Sequence, residues 1–411
     1  MPLPPARTLP RAILLSAAAS VLLQGCASAA RRAAVPANLE AEANVSGFPA
    51  GIRYFPRDAG HVTEFERDYR SSLEREKAWL RARGQAGPLP PAAFLAISGG
   101  GDQGAFGAGL LIGWTKAGTR PVFKLVTGVS TGALTAPFAF LGPAHDEKLR
   151  SLYTGISLKD VAKKRSFLSV LYNDAMADNM PLWNLVRKYV TQELLDEIAA
   201  EHERGRVLLV ATTNLDARRP VIWNLTEIAA SRLPGALELV QKVLIASAAI
   251  PGTFPPVMIP VEVDHKPYDE MHVDGATSSQ VFVYPAAVRL HELAERERTL
   301  YIIRNARLDP QWAQVDRRTL PIAFRAITCL IQYQGLGDLY RIFAITQRDQ
   351  VEYNLAFIPP TFKTPHTTDF DPAFMRELFD LGYRMAASGY PWEKRPPVLV
   401  SGVDDEAPGP R

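Results

Sequence analysis

Cysteine is nearly absent: among 411 residues only Cys26 and Cys329 occur. If Cys26 is consumed near the N-terminus, no intrachain disulfide can form, and the core must hold by packing alone. Charge of one sign is lacking too. Forty-six basic residues are scattered among 43 acidic ones, for a formal net charge of +3. There is no long basic run and no interleaving of aromatics with arginine, which excludes an ordinary nucleic-acid surface. Only "KDVAKKR" at 159–165 is locally basic; it reads as a solvated loop face, with a patch for anionic lipid headgroups as the other reading. Internal repeats are missing as well. What remains is an ordinary globular composition, 47% hydrophobic and 22% charged, enough for one large domain with additions or two smaller ones. It sets no oligomeric state.

The N-terminus carries a targeting pattern. Arg7 and Arg11 precede the apolar "AILLSAAASVLL", too short to span a bilayer but fitting the hydrophobic region of a secretory leader. Residues 1–25 therefore read as a signal peptide, and the mature chain as exported. Leu23, Gly25 and Cys26 in "LLQGC" resemble the bacterial lipoprotein box, apart from the unusual Gln24. That resemblance implies lipidation of Cys26 and an N-terminal lipid anchor on a membrane surface, at the periplasmic face of the outer membrane. Ala27 to Ala29 also offers a small-residue cleavage site, which leaves plain secretion as the alternative. Cys329, in the apolar "AITCLI", is expected as an inert core residue.

Residues 26–90 read as a tether followed by a helical segment, in which Phe65, Tyr69, Leu73 and Leu80 have helical spacing. "GQAGPLPP" ends it. From residue 91 short apolar runs alternate with longer amphipathic stretches: "AAFLAIS", "FKLVTGVS", "RVLLVATTNL", "PVIWNL", "PPVMIPV" and "TLYIIRNA". Buried strands alternating with helices predict an α/β sandwich on a mainly parallel sheet. Residues 91–290 form the expected catalytic domain, 291–395 an α/β extension packed on it, and 396–411 a proline-rich acidic tail.

Two corners in this pattern carry chemistry. In "AAFLAISGGGDQGAFGAGLLIGW" a strand runs into Gly99, Gly100 and Gly101, and a helix starts near Gly104. Backbone N–H groups there are unobstructed and lie near a positive helix end, a setting for negative charge. Gly99, Gly101 and Gly104 also satisfy a dinucleotide fingerprint, but that motif needs an acid about twenty residues further on to hold a ribose. After Asp102 the next acid is Asp146, so a nucleotide partner is not expected. The second corner is "GVSTG", with Ser130 between Gly128 and Gly132, the sequence sign of a nucleophile elbow between strand and helix. It follows the triple glycine by 29 residues. On adjacent parallel strands the two corners would face one another at the carboxyl edge of the sheet, one as nucleophile and the other as oxyanion hole.

A serine nucleophile needs a base. His61, His145, His202, His291 and His366 read as solvated, which leaves His265 and His272. A Ser-Asp-His triad of the α/β-hydrolase kind would use His272 or His366. Asp274, in "YDEMHVDGATSSQ", is followed by Gly275; on its own, Asp-Gly at a turn is the blander reading.

"SGGGDQG", "GVSTG" and "VDGA", in this order, resemble the three signature motifs of the patatin-like phospholipase family, and "ASAAIPGTFPPV" resembles a further segment between the last two. The resemblance spans roughly residues 94 to 290. It implies an α/β/α fold and a serine–aspartate dyad acting on acyl esters of lipids or phospholipids, without a catalytic histidine, cofactor or metal. By position, Ser130 is the nucleophile, Asp274 its proton acceptor, and the amides around Gly100 and Gly101 the oxyanion hole. The chain departs from the pattern at Gln103, where relatives carry arginine or lysine, and at Ala276, where glycine is frequent. Pro137 predicts a kink or early bend in the helix after Ser130. A non-catalytic lipid-binding lipoprotein is the reading in which the strained corners have no job.

Overall fold

Each of the apolar runs named above becomes a strand. The computed structural model describes residues 31–165, 174–366 and 368–397; the expected signal peptide, Cys26 and all but the first two residues of the tail lie outside them. In chain order the strands are β1 (Asn44–Val45), β2 (Arg53–Tyr54), β3 (Ala92–Ile97), β4 (Phe123–Val129), β5 (Lys163–Lys164), β6 (Ala177–Asp178), β7 (Val207–Asn214), β8 (Arg219–Asn224), β9 (Val257–Val263), β10 (Lys266–Asp274), β11 (Arg298–Arg304) and β12 (Val351–Phe357). The main helices are α1 (Ala59–Arg81), α2 (Gly104–Lys116), α3 (Thr131–Leu141), α4 (Asp146–Thr154), α5 (Met180–Tyr189), α6 (Gln192–Glu203), α7 (Leu225–Ser231), α8 (Ala236–Ser247), α9 (Thr319–Arg348) and α10 (Pro372–Ala387).

Ten strands form one sheet in the order β1-β9-β10-β7-β4-β3-β11-β12, with β8 added to β7 and β2 to β8. Its centre, from β7 through β4, β3 and β11 to β12, is parallel. The other five strands join antiparallel. For two of these pairs the reason is connection length: residues 215–218 and 264–265 are all that link β7 to β8 and β9 to β10, and so short a link permits only a hairpin. Side chains alternate between two cores. Leu95 and Ile97 of β3 face one, which is roofed by α2, α3, α8 and α10. Phe94 and Ala96 face the other, with Phe65, Tyr69 and Leu73 of α1 and Leu339 and Ile342 of α9. These are the three layers of an α/β/α sandwich.

Helix α1 buries Phe65, Tyr69 and Leu73 as their spacing predicts, and Asp58 caps it by accepting the His61 N–H at 3.2 Å. Residues 31–58, expected as a tether, are fastened down: Arg31 forks onto Asp216 at 3.0 and 2.8 Å, β1 pairs with β9, and the buried Arg53 pairs with Glu270. Helix α3 passes through Pro137 and runs to Leu141, where Gly142 stops it; the proline costs one backbone bond without ending the helix.

Cys329 is exposed, contrary to its expected place in the core. Its apolar neighbours gave the wrong signal because they too face solvent: Leu320, Phe324 and Leu330 are 75%, 63% and 70% exposed. Only the second half of α9, with buried Leu339, Ile342 and Ile345, packs against the sheet.

Candidate active site

The site is assembled along one strand. Strand β4 runs parallel to β7 and pairs with its first half, ending at Val129 opposite Ala211. Strand β10 runs antiparallel and pairs with the second half, ending at Asp274 opposite Thr212. The two strands thus meet end to end against consecutive residues of β7. Ser130, one residue beyond β4, and Asp274, the last residue of β10, are forced together although 144 positions separate them. The Ser130 hydroxyl donates to Asp274 Oδ2 at 2.7 Å, and both residues are buried.

Ser130 has φ 55° and ψ −125°, a left-handed conformation that a residue with a side chain adopts only under constraint. Two bonds hold it there. The Ser130 N–H donates to Ser247 Oγ at 3.0 Å, and the Ser247 hydroxyl donates onward to the Ala211 carbonyl at 2.7 Å. Ser247 belongs to the "ASAAIPGTFPPV" segment, but nothing in its sequence context marked it as the elbow's brace. A close approach fixes Gly132, where a Cβ would run into the Ile97 carbonyl at the end of β3. Elbow and glycine corner are therefore in backbone contact.

At that corner, a Cβ on Gly99 would lie 3.3 Å from the Ser130 Cβ, and one on Gly100 would overlap the Asn305 carbonyl. Of the four glycines expected to offer amides, two are spent internally. The Gly99 N–H donates to the Gln280 carbonyl at 3.0 Å, and the Gly104 N–H donates to carbonyls of its own turn, Gly101 and Asp102. The Gly100 and Gly101 N–H groups have no acceptor among the described residues. Asn305 pins the corner from behind: its N–H donates to Ser98 Oγ at 2.9 Å, its amide NH₂ to the Ser98 carbonyl at 3.0 Å, and its side-chain oxygen accepts the Gly107 N–H at 3.1 Å. Asn305 closes "TLYIIRNA", and its long-range role left no local signal.

Burial pushes the Asp274 carboxyl up to about 7, against the smaller opposing effect of the bonds it accepts from Ser130 and from the Ala276 N–H at 2.8 Å. No cation contributes. Ser130 and Gly101 line an apolar pocket, a channel whose wall includes Leu134, Leu152, Leu182, Leu185, Phe254 and Phe370. Tyr153 lines it too; its hydroxyl lies 2.6 Å from Thr131 Oγ1 and 2.8 Å from Thr135 Oγ1, which ties the wall to the start of α3.

The histidines lie elsewhere. His272 is fully buried on Thr212 and Glu270 at 2.8 and 3.0 Å, and burial holds its pKa below the ordinary value. Its two ring nitrogens are taken up by these partners, and through Glu270 it joins the ion pair with Arg53. His145 and His202 are buried, not solvated as expected, because Glu197 and Glu227 bond their ring nitrogens at 2.7 and 3.0 Å. His366 meets Asp102 at 2.8 Å and stacks on Phe374. Asp102 also accepts the Phe370 N–H at 2.7 Å. Asp102 thereby fastens His366 and Phe370, the latter part of the pocket wall, to the glycine corner. Among the described residues no cluster of acids, histidines or cysteines could hold a metal ion.

A buried serine on a strand-to-helix elbow, facing bare amides at the carboxyl edge of the sheet, defines an α/β protein of the nucleophile-elbow class. Residues 95–287 match the patatin-like phospholipase family, and this segment of the chain is a patatin-like domain. No match was found among curated proteins. Among solved structures, the chain is similar to VipD from Legionella pneumophila at 13% identity and a TM-score of 0.37, over 72% of this chain and 66% of that one. It is similar to human GIVD cytosolic phospholipase A2 at 10% identity and a TM-score of 0.32, over 78% and 55% of the two chains. Similarity to full-length ExoU of Pseudomonas aeruginosa, solved with SpcU, is 12% identity with a TM-score of 0.27, over 74% and 52%. The chain thus spans between about half and two thirds of the length of these proteins.

Proposed function

We propose that this protein is a serine acyl hydrolase that cleaves fatty-acyl esters of lipids through Ser130 and Asp274. The observation that carries the reading is the 2.7 Å hydrogen bond from the hydroxyl of Ser130, which lines an apolar channel, to a desolvated carboxylate. The channel suits an acyl chain and offers little to a charged headgroup. As Ser130 Oγ attacks the ester carbonyl, its proton passes to Asp274 Oδ2, and the Gly100 and Gly101 N–H groups take up the charge that develops on the carbonyl oxygen. Collapse of the tetrahedral species returns the proton from Asp274 to the departing alcohol. Water, deprotonated by Asp274, then attacks the acyl-enzyme, and as the bond to Ser130 Oγ breaks Asp274 returns the proton to that oxygen and the fatty acid leaves. A carboxylate raised to about 7 is a stronger base than an ordinary aspartate.

A second reading, a Ser-Asp-His triad, lacks a histidine in contact with either residue: His272 and His366 are engaged with Glu270 and Asp102. The leader sequence supports export and a lipid on Cys26, which would keep the enzyme at a membrane surface. The test is direct. Purified protein incubated with mixed phospholipids and neutral lipids should release free fatty acids and the matching deacylated lipids, identified by mass spectrometry; no release from any lipid would reject the proposal.

Ser247 gives a second expected result. Ser247→Ala removes the acceptor of the buried Ser130 N–H and should cost about 1–3 kcal/mol in stability. Because the elbow then relaxes, kcat should fall while KM for a dissolved short-chain ester stays nearly constant. Thermal denaturation and steady-state kinetics measure the two.

A further inference from the structure

The first half of α9 is inside out. Of thirteen large hydrophobic side chains exposed among the described residues, eight lie between Trp312 and Tyr333. At 100° per residue, Leu320, Ile322, Phe324, Ile327, Leu330, Ile331 and Tyr333 sweep about 200° of the helix surface. Arg325, Thr328 and Gln332 share the remaining sector of about 160°. Two of these three turn onto the loop that precedes the helix: Gln332 donates to the Arg307 and Leu308 carbonyls at 3.2 and 3.3 Å, and Arg325 to the Gln311 carbonyl, while Thr328 stays exposed. The wide apolar sector faces solvent, the reverse of an ordinary surface helix.

Its position relates it to the channel. Strand β11 is parallel to β3, so the chain leaves it at the same carboxyl edge that carries Ser130. Helix α9 returns from there toward β12 and becomes buried only from Gly335 onward. The preceding sixteen residues project about 24 Å at 1.5 Å per residue. Where the helix meets the body, Asp338 accepts the Gln280 N–H at 2.6 Å and the Ser279 hydroxyl at 3.0 Å, and the Gln280 carbonyl holds Gly99. Ile250, which lines the channel, is 41% exposed and adds apolar surface to it.

We propose that residues 319–333 are an interfacial lipid-binding helix that seats the mouth of the channel on a bilayer, a proposal that rests on the acyl-hydrolase reading. The occupant is a lipid surface with anionic headgroups. Residues 317–337 hold three arginines and no acid, Arg318 being paired with Asp316 just ahead of the helix, and a gathering of eight exposed large hydrophobic side chains is the sign of an interaction surface. No described helix is long and apolar enough to cross a membrane, so the helix lies in the headgroup region with its broad face among the acyl chains. Trp312, 88% exposed, and Tyr333 suit that depth.

The test uses full-length protein carrying Cys26→Ser, which removes any acyl anchor and leaves Cys329 as the only cysteine. An environment-sensitive fluorophore on Cys329 should shift to the blue when vesicles of phosphatidylcholine and phosphatidylglycerol are added, and the protein should float with them. In unlabelled protein, the triple substitution Phe324→Asp, Ile327→Asp and Leu330→Asp alters exposed side chains only. It should reduce flotation and vesicle-lipid hydrolysis at least tenfold while hydrolysis of a dissolved short-chain ester is unchanged. Absence of the blue shift, equal flotation of the variant, or a parent dimer that the substitutions convert to monomer would overturn the proposal. If no ester of any kind is cleaved but flotation follows the expected pattern, the acyl-hydrolase reading fails and the lipid-binding helix stands.

Discussion

Ser130→Ala is expected to abolish ester hydrolysis, lowering kcat by roughly four to six orders of magnitude, toward the uncatalysed background. The size of the effect follows from the reaction: without the hydroxyl there is no acyl-enzyme, and the two bare amides can only polarise a carbonyl for direct attack by water. Folding should survive. Alanine keeps the backbone N–H that Ser247 holds, and the strain at φ 55° is the same for either residue. The hydroxyl does lower the Asp274 pKa, so its loss should move that carboxyl further up. A fluorophosphonate that labels the parent protein and not the variant, with circular dichroism and melting temperature retained in the variant, checks the assignment. Labelling of Ser130→Ala at an equal rate would move the nucleophile elsewhere.

Much of this site is legible in the sequence because its parts are local. Three glycines after an apolar run, a serine between glycines and an aspartate before a glycine each depend on backbone crowding within a few residues. The strands were legible for the same reason, since "AAFLAIS" and "RVLLVATTNL" bury both faces. What the sequence hides is which long-range bond each group makes. Ser247 looks like any serine near a helix end until β7 brings the Ala211 carbonyl beside it. The N–H groups of Gly99 and Gly100 are equivalent in the string "GGG", yet one is consumed by Gln280 and the other left bare. His145 and His202 sit among charged residues and read as solvated, while the distant Glu197 and Glu227 allow their burial. Cys329 fails in the opposite direction. An apolar context predicts burial only if something covers it, and α9 outruns the sheet that would.

Asp274→Asn should produce two effects of opposite kind, loss of turnover and gain of stability. Asparagine is nearly isosteric: its side-chain oxygen can still accept the Ala276 N–H and its NH₂ can face the Ser130 oxygen, so the elbow should keep its shape. It cannot take a proton, and turnover should fall at least a thousandfold. In the parent protein the carboxyl sits near 7 when folded and near 3.8 in the ordinary state. Below about pH 4 it is protonated in both states and costs nothing. As pH rises toward 7 the unfolded chain ionises while the folded one retains its proton, so stability falls. Above 7 the full difference, on the order of 4 kcal/mol, is lost. Asparagine removes that dependence, and Asp274→Asn should therefore melt above the parent at pH 8 and close to it at pH 4. The same ionisation governs the parent's activity with the reverse benefit: kcat/KM for a dissolved ester should climb as pH passes through 7, where the base becomes available. A melting-temperature difference that does not change between pH 4 and 8, or an activity profile flat across that range, would mean that Asp274 is neither the desolvated group nor the base described here.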